Sequence, residues 1–233
     1  MNELKVVGQT VTEYFGDTKE ARLARAAAEG KVADVRRWVA EGANVNAYGQ
    51  QNMTPLMWAF SGRNEAGMRA LLEAGADPNQ RIGPKKDLHP VWIAAGLDPE
   101  QPEILKVLLD FKGDPNAPLP DDAFYAPLTL AANKLSYVKL LVQAGADINT
   151  SNEIGVPTLF SSVGIQKYDI VLYALDNGFN RNLPLLAWMI ASHAPTPELP
   201  AIPELEPKRL LILDKLRQMG VVPQVGPPPP LQR

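Results

Sequence analysis

Apolar clusters recur along the chain at helical spacing, and each ends in the same punctuation. The segments VAEGANVNA (39–47), LEAGADPNQ (72–80), LDFKGDPNA (109–117), VQAGADINT (142–150) and LDNGFNRN (175–182) each read as a helix end, a glycine and an Asn-rich turn. The glycines are Gly42, Gly75, Gly113, Gly145 and Gly178, with Gly220 as a sixth, spaced by 33, 38, 32, 33 and 42 residues. Glycine at such a point takes the left-handed conformation that ends a helix. A second signal opens the units. Thr54-Pro55-Leu56-Met57, His89-Pro90-Val91-Trp92, Ala126-Pro127-Leu128-Thr129, Val156-Pro157-Thr158-Leu159 and Leu183-Pro184-Leu185-Leu186 each set a proline at the start of an apolar run. Proline fits the first helical turn because the N–H it lacks has no intrahelical partner there. Stretches such as LLEAG and LLVQAG supply the faces that stack on a neighbour. The pattern predicts an all-α chain of about six helix–turn–helix units.

A period near 33 carrying these two motifs resembles the ankyrin repeat over residues 20–222. The resemblance implies an ankyrin-repeat solenoid with N- and C-terminal caps, forming a single domain over 1–222. The N-terminal cap covers about 1–47, since ARLARAAAEGKVADVRRWVAEGANVN lacks the proline motif. Of the family's threonines only Thr54 remains, and its histidines are replaced by Met57, Trp92, Thr129, Leu159 and Leu186. The usual hydrogen-bond ladder between repeats is therefore expected to be mostly missing, with apolar packing in its place. The last unit is split by a Pro-rich insert, 194–207, whose five prolines exclude a continuous helix. The helix after it, 208–219, is expected to pack through Leu210, Leu211, Leu213 and Leu216. The tail, 223–233, reads as polyproline II or disorder.

Composition narrows the function. Lys and Arg number 23 against 26 Asp and Glu, a net charge of −3 that argues against a nucleic-acid partner. Cysteine is absent, which excludes disulfide scaffolds, zinc ribbons and thiol nucleophiles. No run reaches the ~18 apolar residues of a membrane span, and the first twenty residues hold no signal-peptide core. As the chain stands the expected location is cytoplasmic; removal of an N-terminal signal would make it periplasmic.

The search for chemistry is sparse. His89 and His193 are the only histidines. His89 falls at a helix start and reads as a cap, and His193 precedes the insert and reads as exposed. Neither builds a triad or a metal site. No phosphate-binding glycine motif occurs. The expectation is a non-catalytic protein-binding module, monomeric, with no cofactor, no metal and no membrane insertion. Trp58, Trp92 and Trp188 read as core. Carrying the family layout onto this sequence gives partner-binding positions at the tips and inner helices. They are Gln50, Gln51 and Met53; Arg81, Lys85, Lys86 and Leu88; Asp121, Asp122, Phe124, Tyr125 and Lys134; and Asn152 and Glu153.

The opening segment, VTEYFGDTKE through MTPLMWAF, is similar to bacterial ankyrin-repeat proteins, some of them encoded beside toxic lipase effectors of type VI secretion. That similarity implies an immunity protein that occludes a toxin on its concave face. The alternative is an intracellular scaffold or regulator bridging protein partners.

Overall fold

The computed structural model describes residues 4–117, 126–152, 154–197, 200–223 and 226–231. The chain divides into two units, 1–121 and 122–233. The first holds α1 (Val11–Phe15), α2 (Lys19–Ala28), α3 (Val32–Ala40), α4 (Pro55–Ser61), α5 (Glu65–Glu73), α6 (Pro90–Ala95) and α7 (Pro102–Asp110), with a 3-10 turn at Gln50–Asn52. The second holds α8 (Pro127–Leu130), α9 (Leu135–Gln143), α10 (Phe160–Gly164), α11 (Tyr168–Asp176), α12 (Leu183–Ser192) and α13 (Glu206–Gln218). Among the described residues there is no strand, only isolated bridges such as Ile82–Leu88 and Ser151–Pro157. The helical class expected from the sequence is what the chain adopts.

Local chemistry sets the boundaries. Thr10, Thr18, Thr54 and Asn64 each cap a helix by accepting from the backbone N–H three residues on. Pro55, Pro90 and Pro127 open α4, α6 and α8, and Pro184 lies in the first turn of α12. Pro157 departs from the expectation. It pairs with Ser151 in a bridge, and α10 begins only at Phe160. Asn152 draws the chain into that turn by accepting from the N–H groups of Ile154 and Val156. Gly42, Gly75, Gly145, Gly178 and Gly220 all take positive φ after their helices. Gly113 does not. Lys112 takes the left-handed position at φ 70°, and Gly113 is required by space, since a Cβ there would lie 2.7 Å from Val91 Cγ2 and 2.8 Å from the Leu108 carbonyl.

In the first unit α2 is the central element. Its Leu23, Ala24 and Ala27 are buried, and it packs on α1, α3, α4 and α5. α5 comes so near that a Cβ on Gly67 would sit 1.8 Å from the Ala27 carbonyl oxygen. α1 closes the other side, its Tyr14 and Phe15 rings 5.4 and 6.4 Å from the buried Trp58.

Hydrogen bonds do join successive turns, made by asparagines rather than by the family's threonine and histidine positions. Asn46 donates from Nδ2 to the Gly75 carbonyl (3.0 Å), and its Oδ1 accepts from Asp77 N (2.8 Å). Asn79 repeats this with Lys112 O (3.0 Å) and Asp114 N (2.7 Å). In the second unit Asn149 does the same with Gly178 O and Asn180 N. Each asparagine is itself oriented from two residues upstream, where Asn44, Asp77 or Asp147 accepts its backbone N–H. A carboxamide offers a donor and an acceptor side by side, so one side chain joins two points of the next turn.

In the second unit α13 packs on α11 and α12 through Arg209, Ile212, Leu213 and Leu216. That i, i+3, i+4, i+7 row turns Leu210 and Leu211 to solvent, contrary to the expectation that they pack. Lys208–Asp169 and Lys215–Asp176 pairs flank the contact between α13 and α11. Trp92 and Trp188 are half-buried rather than core.

Candidate protein-binding surface

The turn tips of the first unit meet at side chains that follow the asparagine ladder. After Asn46 the chain carries Tyr48 outward and returns through the 3-10 turn, closed by Gly49 N–H donating to Met53 O. Gln51 and Asn52 take left-handed backbone angles there. Gly49 lies against α1, where a Cβ would come within 2.6 Å of the Tyr14 carbonyl. The next tip is a small hairpin: Ile82 and Leu88 exchange backbone bonds of 2.9 and 3.1 Å, and Lys86 N–H donates to Gly83 O.

Three contacts join these tips. The Tyr48 hydroxyl donates to Arg81 O (3.2 Å), Asn52 Nδ2 donates to Gly83 O (3.0 Å), and Lys86 Nζ lies 4.1 Å from the centre of the Tyr48 ring. A lysine over an aromatic face is drawn there by the ring quadrupole. The result is an exposed, cationic and aromatic surface whose backbone is already hydrogen-bonded.

Of the expected positions, Gln50, Gln51, Lys85 and Lys86 are exposed and Arg81 is half-buried, all on these two tips. Leu88 is half-buried, with its backbone in the hairpin bridge. Met53 is buried at 8% exposure, pinned by the Gly49 bond, and so is not on the surface where it was expected. Lys134, in the second unit, is likewise buried at 8%, its Nζ 5.3 Å from the Tyr137 ring centre. Asn152 is half-buried and its side-chain oxygen is taken up by its own turn. Asp121, Asp122, Phe124, Tyr125 and Glu153 lie outside the described residues. Tyr48 and Asn52 were missed; an aromatic between an Asn turn and a glycine, in NAYGQQN, was the available signal.

The two histidines sit in different surroundings. His89 is buried and caps α6, its Nδ1 accepting from Val91 N–H at 3.2 Å. Burial lowers its pKa to about 4, with Asp114 pulling the other way. His193 is not exposed as expected. It is half-buried, 2.9 Å from the Tyr168 hydroxyl, and burial followed by Arg209 lowers its pKa. The pair borders a cavity of about 240 Å³ beneath the Pro-rich insert. Arg209 also faces it, forked onto Glu206 at 2.7 and 2.8 Å. The guanidinium holds that carboxylate ionised and lowers its pKa. Among the described residues no group of His, Asp and Glu is arranged to hold a metal ion, and no helix is long and apolar enough to cross a membrane.

A family model described as Ankyrin repeat matches residues 51–82, from the first tip through α4, α5 and Asn79 to the second tip. Residues 51–82 are thus similar to an ankyrin repeat. A mitochondrial disaggregase from Bos taurus is 34% identical over 143 residues, 59% of this chain and 20% of that protein. An ankyrin repeat and KH domain-containing protein from Caenorhabditis briggsae is 30% identical over 141 residues, 60% of this chain and 5% of that protein. The mitochondrial disaggregase of Homo sapiens is 44% identical over 61 residues, 26% of this chain and 9% of that protein. The matches therefore span a fifth or less of each relative's length. These relatives are eukaryotic and lend no support to the bacterial immunity subgroup.

Proposed function

We propose that the chain is a non-catalytic protein-binding module of about six helix–turn–helix units with N- and C-terminal caps, residues 51–82 being the second of them. Its contact surface in the first unit is the pair of tips carrying Gln50, Gln51, Arg81, Lys85 and Lys86, with Tyr48 at the centre. The observation that carries this is the Tyr48 ring, 42% exposed, fixed by Arg81 O and covered by Lys86. A tyrosine already held in one place loses little freedom on binding, and such aromatic and cationic anchors dominate protein interfaces. The cationic side chains suit a partner that presents carboxylates. Asp121, Asp122, Phe124, Tyr125, Asn152 and Glu153 extend the proposal to further tips.

The narrower reading, an immunity protein that occludes a secreted lipase effector, rests on the resemblance of the opening segment. The bridging alternative has its own observation in the second unit, where Trp188 binds the chain's Pro-rich tail. Co-expression with the product of the neighbouring gene, followed by size-exclusion chromatography and a growth assay, tests the module and the narrower reading together. A complex weakened about tenfold or more by Lys86→Glu and by Tyr48→Ala supports the tip surface. Equal affinity for both variants removes it. A complex whose partner is harmless to cells removes the immunity reading and leaves the module.

A further inference from the structure

The indole of Trp188, on α12, donates from Nε1 to the carbonyl oxygen of Gly226 at 2.8 Å. Both residues belong to the second unit. Gly226 has φ 124°, a conformation L side chains rarely adopt, and it turns the chain into Pro227–Pro230. Within the segment that follows, Pro229 and Leu231 are half-buried while Pro227, Pro228 and Pro230 are exposed.

The chemistry of the two partners is complementary. A proline run has no backbone N–H groups, so its carbonyls have no internal partners and remain acceptors for an outside donor. Fixed φ angles hold the run extended before binding, so little conformational freedom is lost when it docks. Indole N–H is a donor only, on a flat apolar ring. This is the general basis by which aromatic surfaces read polyproline II segments. Only seven residues separate the last residue of α13, Gln218, from Gly226. A tether that short gives the tail an effective concentration on the order of millimolar at the ring. Weak recognition is then enough to keep the tail in place.

We propose that Trp188 is the donor of a polyproline-recognition site, filled in the resting chain by residues 226–231, and that a partner's proline-rich segment displaces this tail. The site is separate from the cationic tips of the first unit. It stands or falls without them.

The test follows the Trp188 indole N–H signal by ¹⁵N NMR in the 233-residue chain, assigned by its disappearance in Trp188→Phe. Replacing all four of Pro227 to Pro230 with alanine shifts the signal, because the tail no longer seats. The synthetic peptide GPPPPLQR then returns it to its native position. A dye-labelled form of that peptide binds the native chain about tenfold more weakly than the alanine variant, because the native tail competes. In Trp188→Phe combined with the alanine tail, binding falls about five- to tenfold with the loss of the indole donor. An indole signal unmoved by the alanine tail overturns the proposal. So does a peptide that leaves the variant's signal in place, or one that binds equally well without the indole N–H. None of the tail substitutions touches a helix, so the comparison does not depend on a damaged fold.

Discussion

The carboxamide of Asn79 meets the backbone of Asp114 at 2.7 Å through its oxygen, while its nitrogen donates to Lys112 O at 3.0 Å. One side chain thus bridges two successive turns, 35 residues apart at the Asp114 bond. Asn46 and Asn149 occupy the same place in their own turns. The turns are held together by asparagines, and the first unit's tips inherit their spacing from these bonds.

Asn79→Ala removes both bonds and leaves Asp114 N–H and Lys112 O to solvent or to nothing. The expected loss of stability is about 1–3 kcal/mol, read from urea unfolding. Asn79→Asp keeps the acceptor but loses the donor and sets a carboxylate against the Lys112 carbonyl. It should not recover the loss. If alanine costs no more here than at an exposed asparagine outside the ladder, such as Asn133, the bridging role is wrong.

Two glycines separate space from propensity. Gly67→Ala places a methyl 1.8 Å from the Ala27 carbonyl oxygen, a backbone atom of α2 that cannot swing aside. Helix propensity favours alanine by about 1 kcal/mol, but overpacking opposes it by about 1–3 kcal/mol and by more where backbone must move. A net loss is expected. Gly164, exposed in α10, has nothing within 4 Å of an added Cβ and no positive φ. Gly164→Ala should gain about 0.5–1 kcal/mol. Thermal unfolding of both variants checks the pair, and a sign reversed in either refutes that packing account.

The helical class was legible because Pro at helix starts and Gly at helix ends act locally. The ladder was not, although its asparagines were plain in every turn. An asparagine that bridges turns looks locally like any turn former, because its partners lie 29 to 35 residues away. Gly113 misled for a related reason. It falls one residue later than its counterparts relative to the following Asp, so Lys112 takes the left-handed angle and the glycine serves close packing. At the candidate surface, Gln50, Gln51, Lys85 and Lys86 could be placed because tips are local. Met53 and Lys134 could not, because their burial depends on residues distant in sequence. Nor could the meeting of Tyr48 with Lys86, which joins two separate turns.

His89 ties the stability of the first unit to pH. Its Nδ1 must be unprotonated to accept the Val91 N–H, and the ring is only 3% exposed. Burial is the main reason its pKa falls from 6.5 to about 4; Asp114 and Asp77 oppose the shift and Arg81 assists it. In the unfolded chain the imidazole binds its proton near 6.5. Between these values the unfolded chain carries more protons than the folded one, so stability rises with pH. The contribution is fully present above 6.5 and is lost as the pH falls towards 4, by up to roughly 3 kcal/mol. His89→Thr keeps an N-cap acceptor, as Thr54 does for α4, but removes the titration. Urea unfolding of both proteins at several pH values between 7.5 and 4 should show the native chain losing stability faster. The carboxylates are common to both chains, so their effect cancels in the difference. Parallel curves would mean that His89 protonates in the folded state as readily as in the unfolded one, and that the cap does not depend on a neutral ring.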